Sequence, residues 1–332
     1  MSAPAPSMFS PQASEMAKSL GLKPGKANLE QFADTLTLLA RKDRRILAVT
    51  SDSRGSGKLG PYGQELPDQI VEVGIAEQNL VGVAAGLASC GKKVFAVSPA
   101  CFLATRALEQ IKNDVCYSDM PVALIGISAG VSYGALGTTH HSLHDFAALR
   151  AINNLSILAP GDNAESRLAI EYAARSEHPV YVRFGKAPLY DLPASESLQV
   201  GQARVLRNGS DLAFIATGET VIHALLAAEH LAVFHQIQTR VISLHTLRPL
   251  DSESILQAAR QCRAVITVEE HMVHGGLGEA VAGLVLQSGL KPRFRIVGIP
   301  DEYTVTGAQA DIFRHYGISM EGLSQTARQL LA

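Results

Sequence analysis

The chain has no tryptophan, only four cysteines and almost no net charge, −2 over 332 residues. The near-balance of charge removes the electrostatic case for a nucleic-acid or membrane-surface partner. The cysteines (Cys90, Cys101, Cys116, Cys262) are scattered without a C-x-x-C spacing. They read as reduced, mostly buried thiols of a cytoplasmic protein, not as a disulfide framework or thiolate metal site. No long apolar run opens the sequence, so "MSAPAPSMFSPQASEMAKSLGLKPGK" reads neither as a signal peptide nor as an anchor. Its Pro, Ser and Ala content predicts a flexible lead-in over 1–25. Also absent are a P-loop and an H-E-x-x-H pattern.

What is present is 47% hydrophobic residues, 18% charged residues and 28 glycines, the composition of a soluble α/β protein with closely packed helices. Short apolar runs alternate with amphipathic segments from Lys26 onward. "RRILAVTSD", "QIVEVG", "KKVFAVS", "PVALIGIS", "LSILAP" and "PVYVRFG" read as strands. "ANLEQFADTLTLLARKD", the run after Glu77, "FLATRALEQIKNDVCYS" and "NAESRLAIEYAARSE" read as helices. Apolar strands between such helices imply a parallel sheet covered on both faces. "KAPLYDLPASESLQVGQ" interrupts the series, and a second α/β series follows through "DLAFIATG", "TRVISLHTL", "AVITVEE" and "FRIVGIP". The expected fold is therefore α/β, with two doubly wound domains. A lead-in covers 1–25, a first domain 26–190, a linker 191–202 and a second, smaller domain 203–332. No internal repeat stands out beyond the alternation.

Ligand sites of open α/β sheets lie at the carboxyl ends of strands. The turns after the first four strands would thus gather Asp52, Ser56, Glu77, Phe102, His140, His141 and Asp145 at one edge. Glu77 is conspicuous among them, a carboxylate heading the apolar helix "EQNLVGVAAGLAS", where an unpaired charge is costly. On that helix alone it is equally a first-turn acid favoured by the macrodipole. His140 and His144 have the i, i+4 spacing of metal ligands, although the preceding "SYGALGTT" reads as loop.

Four motifs, "VEVGIAEQN…GVAAGLA", "SPACFLATRALEQIKNDV", "GTTHHSLHDFAALRAI" and "PVYVRFGK", resemble successive motifs of the transketolase pyrimidine-binding domain, in the family's order. Residues 203–332 are similar to the family's C-terminal domain. The resemblance implies a thiamine-diphosphate enzyme that moves a two-carbon ketol unit from a ketose to an aldose. It gives Glu77 the catalytic hydrogen bond to N1′ of the cofactor's aminopyrimidine. That task suits a carboxyl whose affinity for a proton is raised by apolar surroundings. Phe102 would stack on the pyrimidine, and His140 would contact the sugar and move protons at its hydroxyls. His141, where many relatives have glutamine, and Asp145 would also line the substrate. Ser56 and Arg183 would hold its phosphate. Arg106 either reaches that phosphate or is a solvated helix residue. His271 and His274, in "VEEHMVHGGLGEAV", either approach the site entrance or belong to a tight turn.

Two departures bear on the substrate. Gly25 and Lys26 stand where relatives have a phosphate-binding arginine, and Leu136 stands where they have a sugar-reading aspartate. The family's Gly-Asp-Gly motif, which holds the cofactor's diphosphate through magnesium, is missing, with "PGDNAE" the nearest string. The resemblance therefore implies the C-terminal subunit of a split transketolase. An N-terminal partner of about 270–300 residues would carry the Mg2+ half, in an α2β2 assembly. Alternatives are the β subunit of a 2-oxoacid dehydrogenase E1 component, a deoxyxylulose-phosphate-synthase-like enzyme, or a non-catalytic scaffold subunit.

Overall fold

The computed structural model describes residues 8–195 and 198–332. Seven strands form the larger sheet, in the order Thr246–Arg248, Ser156–Leu158, Val180–Phe184, Val122–Ile127, Lys93–Pro99, Ile46–Thr50, Ile70–Glu72. All neighbours are parallel except Thr246–Arg248, which runs antiparallel to Ser156–Leu158. The central strands are buried along their whole length, as apolar runs sandwiched by helices require. Helices Asn28–Lys42 and Asn163–Arg175 cover one face around Phe32, Leu36 and Ile170. The helix headed by Glu77, Glu77–Ser89, covers the other with Leu80, Val81 and Ala84.

A second sheet has the order Arg293–Ile299, Ala264–Met272, Leu212–Ala216, Thr239–Ser243, Arg204–Arg207, with only the last strand antiparallel. Both halves are thus the α/β units that the alternation predicts. They are not separate in the sheets, however, because Thr246–Arg248 from the second half closes the edge of the first sheet.

The lead-in differs from expectation. Residues 1–7 lie outside the described residues, but Pro11–Ser19 is a helix. Ser10 caps it by accepting from the Ala13 amide (3.0 Å), Pro11 starts it, and Ala13, Met16 and Ala17 are buried in the second half's core. Pro24–Ala27 then pairs antiparallel with Pro188–Tyr190, so the last residues of the expected lead-in are tied to the end of the expected first domain. The expected linker 191–202 includes residues 196–197, which lie outside the described residues.

The stretch read as one helix after Phe102 is broken. Ala100–Arg106 ends at Ala107 (φ −103°, ψ 20°), and a π-helical turn spans Ile111–Tyr117. That break leaves Arg106 at a helix end beside the sheet's carboxyl edge.

Candidate active site

Glu77 is the first residue of its helix and only 1% exposed. The helix N-terminus favours its negative charge, and two side chains reach it. Ser98, at the end of strand Lys93–Pro99, donates to Oε1 (3.4 Å) and is itself in a hydroxyl contact with Ser51 (2.7 Å). Arg106 donates to Oε2 (2.5 Å). The surroundings are therefore not purely apolar, as the sequence suggests, because a guanidinium neutralises the carboxylate.

From Glu77 a line of contacts crosses the carboxyl edge of the sheet. The Arg106 guanidinium lies over the Phe102 ring, 4.8 Å from its centroid. Phe102 meets His140 edge-on (5.3 Å), and His140 meets Tyr133 in the same way (5.4 Å). Lys186 stands 4.7 Å over the face of Tyr133. Burial, with help from Lys58, lowers the Lys186 ammonium's pKa from the ordinary lysine range. Ser98, Tyr133, Lys58 and Lys186 are site-edge residues that sequence reasoning missed. The "FGK" that places Lys186 two residues past a strand end is the signal that could have found it.

The loop carrying His140 is shaped by glycine. Gly134–Thr139 is 3-10 turns broken at Gly137 (φ 70°, ψ −161°), a conformation that side chains disfavour. The Cβ that Gly134 lacks would sit 2.5 Å from the carbonyl oxygen of Gly307 in the second half. A backbone atom cannot swing away, so Gly134→Ala should destabilise the chain by about 1–3 kcal/mol. It should also shift His140, with a change in KM wherever that histidine meets the substrate. Urea titration and steady-state kinetics read the two effects.

Three sequence candidates are placed differently from expectation. His141 is 2% exposed, with Nδ1 2.7 Å from the Thr304 hydroxyl and Nε2 3.0 Å from the Gly134 carbonyl. It ties the loop to the second half and has no free nitrogen for a sugar; burial lowers its pKa. Asp145 is fully buried, accepting from the Tyr181 hydroxyl (2.7 Å) and pairing with Arg183 Nε (3.3 Å). Arg183 is spent on protein groups, donating to the Glu270 carbonyl (3.2 Å) and lying over Phe146 (4.4 Å). Arg183 thereby joins the two halves, with Asp145 as its buried counter-ion. The placement of Arg183 is set at long range, since Glu270 comes from strand Ala264–Met272, over eighty positions away. Ser56 donates to the Ser53 carbonyl (3.2 Å) on the turn that also carries Lys58.

Around Arg183 lies a buried acidic junction. Gln309 bridges Glu219 (3.3 Å) and Glu270 (2.9 Å), and Glu270 also accepts from the Val131 amide (2.8 Å). Burial, reinforced by Glu270, pushes Glu219 up to about 8; burial likewise pushes Glu270 and Glu269 up to about 7. His271 is stacked on Phe146 in the same region and held by burial down at about 4, so it does not reach a site entrance. His274 is exposed beside Glu279. His144 caps the helix Asp145–Arg150, and among the described residues no group of three or more His, Cys, Asp or Glu is set to hold a metal.

Comparison with known proteins gives this geometry a context. Residues 26–190 match the sequence model described as "Transketolase, pyrimidine binding domain", and residues 201–323 match "Transketolase, C-terminal domain". The chain belongs to the transketolase family. It is 46% identical over 304 residues to an apulose-4-phosphate transketolase subunit from Phocaeicola vulgatus, covering 91% of this chain and 96% of that one. It is 32% identical over 302 residues to a 6-deoxy-6-sulfo-D-fructose transketolase subunit from Clostridium sp., covering 91% and 93%. A solved structure titled "Split gene transketolase, inactive beta4 tetramer" superposes with a TM-score of 0.82 at 32% identity, covering 92% of this chain and 98% of that one. The chain is thus a transketolase subunit of the split kind, a transferase that works with a partner subunit, and the 2-oxoacid dehydrogenase reading is not favoured.

The site fits the family's cofactor on its own geometry. Glu77 offers a buried carboxylate and Phe102 a half-buried ring, with a planar cation between them that donates to one and stacks on the other. Those are contacts that an aminopyrimidine, a flat ring bearing N–H donors, can take.

Proposed function

We propose that this chain is the C-terminal subunit of a two-subunit transketolase that transfers a two-carbon ketol unit from a phosphorylated ketose to an aldose. The observation that carries the reading is the unbroken line Glu77–Arg106–Phe102–His140–Tyr133–Lys186 along one sheet edge. It sets a buried carboxylate, an aromatic face, a histidine and a cation in sequence.

In this reading thiamine diphosphate, when bound, supplies the electron sink for the two-carbon unit. Glu77 would share a proton with N1′ of the aminopyrimidine, and the Phe102 ring would take its flat face. His140, with Nδ1 2.9 Å from the Thr139 hydroxyl, moves protons at the sugar's hydroxyls. Lys186, which pairs with no carboxylate among the described residues, takes the anionic end of the sugar with Lys58 and Ser56. Arg183 and Asp145 brace the loop behind them. Magnesium and the diphosphate belong to the N-terminal partner, the assembly is α2β2, and the compartment is the cytoplasm. No described helix is long and apolar enough to cross a membrane. The two relatives above are named for ketoses bearing a phosphate or a sulfonate, and apulose 4-phosphate is the first substrate to test. The exposed Leu136 beside the His140 loop leaves the usual pentose phosphates without their aspartate contact.

Calorimetric titration with thiamine diphosphate and magnesium tests the shared site: heat should appear with the two subunits mixed and not with this chain alone. Tight, metal-dependent binding by this chain alone would refute the two-subunit site. For the anion contact, Lys186→Ala should raise KM for apulose 4-phosphate about 10–100-fold. That is the scale of one charged hydrogen bond worth about 1.5–3 kcal/mol. An unchanged KM would move the phosphate elsewhere.

A further inference from the structure

We infer that Arg106 is a placeholder for the aminopyrimidine, so that cofactor loading is an exchange of one planar group for another. The inference rests on the reading of Glu77 and Phe102 as the pyrimidine's partners, and it adds what occupies their seat before the cofactor arrives. The guanidinium donates to Glu77 Oε2 at 2.5 Å and lies 4.8 Å above the centre of the Phe102 ring. Guanidinium and aminopyrimidine share the features those partners select: a flat π face and an N–H that points at a carboxylate. A ring stacked on the same face of Phe102 and bonded to Oε2 would need the guanidinium's place.

The chemistry of Glu77 explains why a placeholder is needed. Its side chain is 2% exposed, and among the described residues only Ser98 hydrogen-bonds to it besides Arg106, at the long distance of 3.4 Å. A buried carboxylate left so poorly paired is strongly destabilising. A subunit that must fold before meeting its partner and cofactor therefore needs a temporary cation there. Arg106 is built to leave. Its side chain is 45% exposed, it is the last residue of the short helix Ala100–Arg106, and the chain departs from helical geometry at the next residue. Permanent structural arginines here look different: Arg183 and Arg204 are buried, 7% and 4% exposed by side chain, and each is held by several protein oxygens.

The placeholder predicts opposite effects on the empty chain and on loading. Arg106→Ala should lower the melting temperature of the unloaded chain by several degrees, while Glu77→Gln/Arg106→Ala, which leaves no buried charge, should melt near the wild type. In the reconstituted two-subunit complex, Arg106→Ala should tighten thiamine diphosphate binding about ten-fold in calorimetry with magnesium, because no resident group has to be displaced. Wild-type binding that Arg106→Ala leaves unchanged or weakens would overturn the placeholder while sparing the pyrimidine site. So would an unloaded Arg106→Ala chain that melts like the wild type. A complex in which neither protein binds thiamine diphosphate would overturn both.

Discussion

Glu77→Gln should lower ketol transfer by the reconstituted enzyme about 10²–10⁴-fold, the range of a lost proton-transfer partner, while the chain still folds and pairs with its subunit. Glutamine keeps the length and shape of the side chain and can still hydrogen-bond to Ser98 and Arg106, the two groups that touch Glu77. What it loses is the ability to hold or release a proton. Packing is not expected to change, since Leu80, Val81 and Ala84 on the same helix are in place whatever residue heads it. The loss should fall on kcat in single-turnover kinetics with cofactor at saturation. Glu77→Asp, one methylene shorter, should recover part of it. Activity of Glu77→Gln within a few-fold of the wild type would remove Glu77 from the chemistry and return it to a first-turn acid.

How much of this site was legible in the sequence follows from how local each feature is. Glu77 and Phe102 sit a few residues after strands whose apolar runs are plain, and His140 lies on the long loop after strand Val122–Ile127. Topology alone carries them to one edge, and the structure brings them into one line of contacts. Arg106 stayed ambiguous because its partner lies twenty-nine positions away and depends on where the helix breaks at Ala107. The burial of Arg183, Asp145 and His141 was not legible for a stronger version of that reason. Arg183 and His141 have partners, Glu270 and Thr304, in the second half, Asp145 pairs with Arg183, and no periodicity within the first half reveals that the three are covered. The amino-terminal helix escaped because alanines and a single methionine make a weak apolar face. Its Ser10 cap and Pro11 start were the only local signs.

The junction that hid Arg183 should respond most strongly to mutation. Arg183→Met should destabilise the chain by about 3–5 kcal/mol, the penalty for removing one partner of a buried ion pair. Methionine fills the space over Phe146 but leaves Asp145, Glu270 and Glu219 without their central cation. The loss should also depend on pH. Glu219 at about 8 and Glu270 and Glu269 at about 7 lie above the ordinary 4.5, so the folded chain binds more protons than the unfolded one. Their contribution is full below about pH 4.5 and is lost as pH rises through 7 to 8. His271 and His223, held at about 4, have the opposite sign, and their effect is complete once pH passes the ordinary 6.5. Between pH 6.5 and 8 the carboxyls therefore act alone, and stability should fall by up to about 1.4 kcal/mol per pH unit for each proton released. Arg183 opposes the upward shift at both Glu219 and Glu270, so in Arg183→Met the fall should extend to higher pH and the deficit should widen from pH 6.5 to 8. Glu219→Gln should flatten the wild-type slope over the same interval. Urea titrations at four pH values read all three slopes. A deficit for Arg183→Met that is under 1 kcal/mol, or is the same at both ends of the interval, would show that the junction does not depend on that cation.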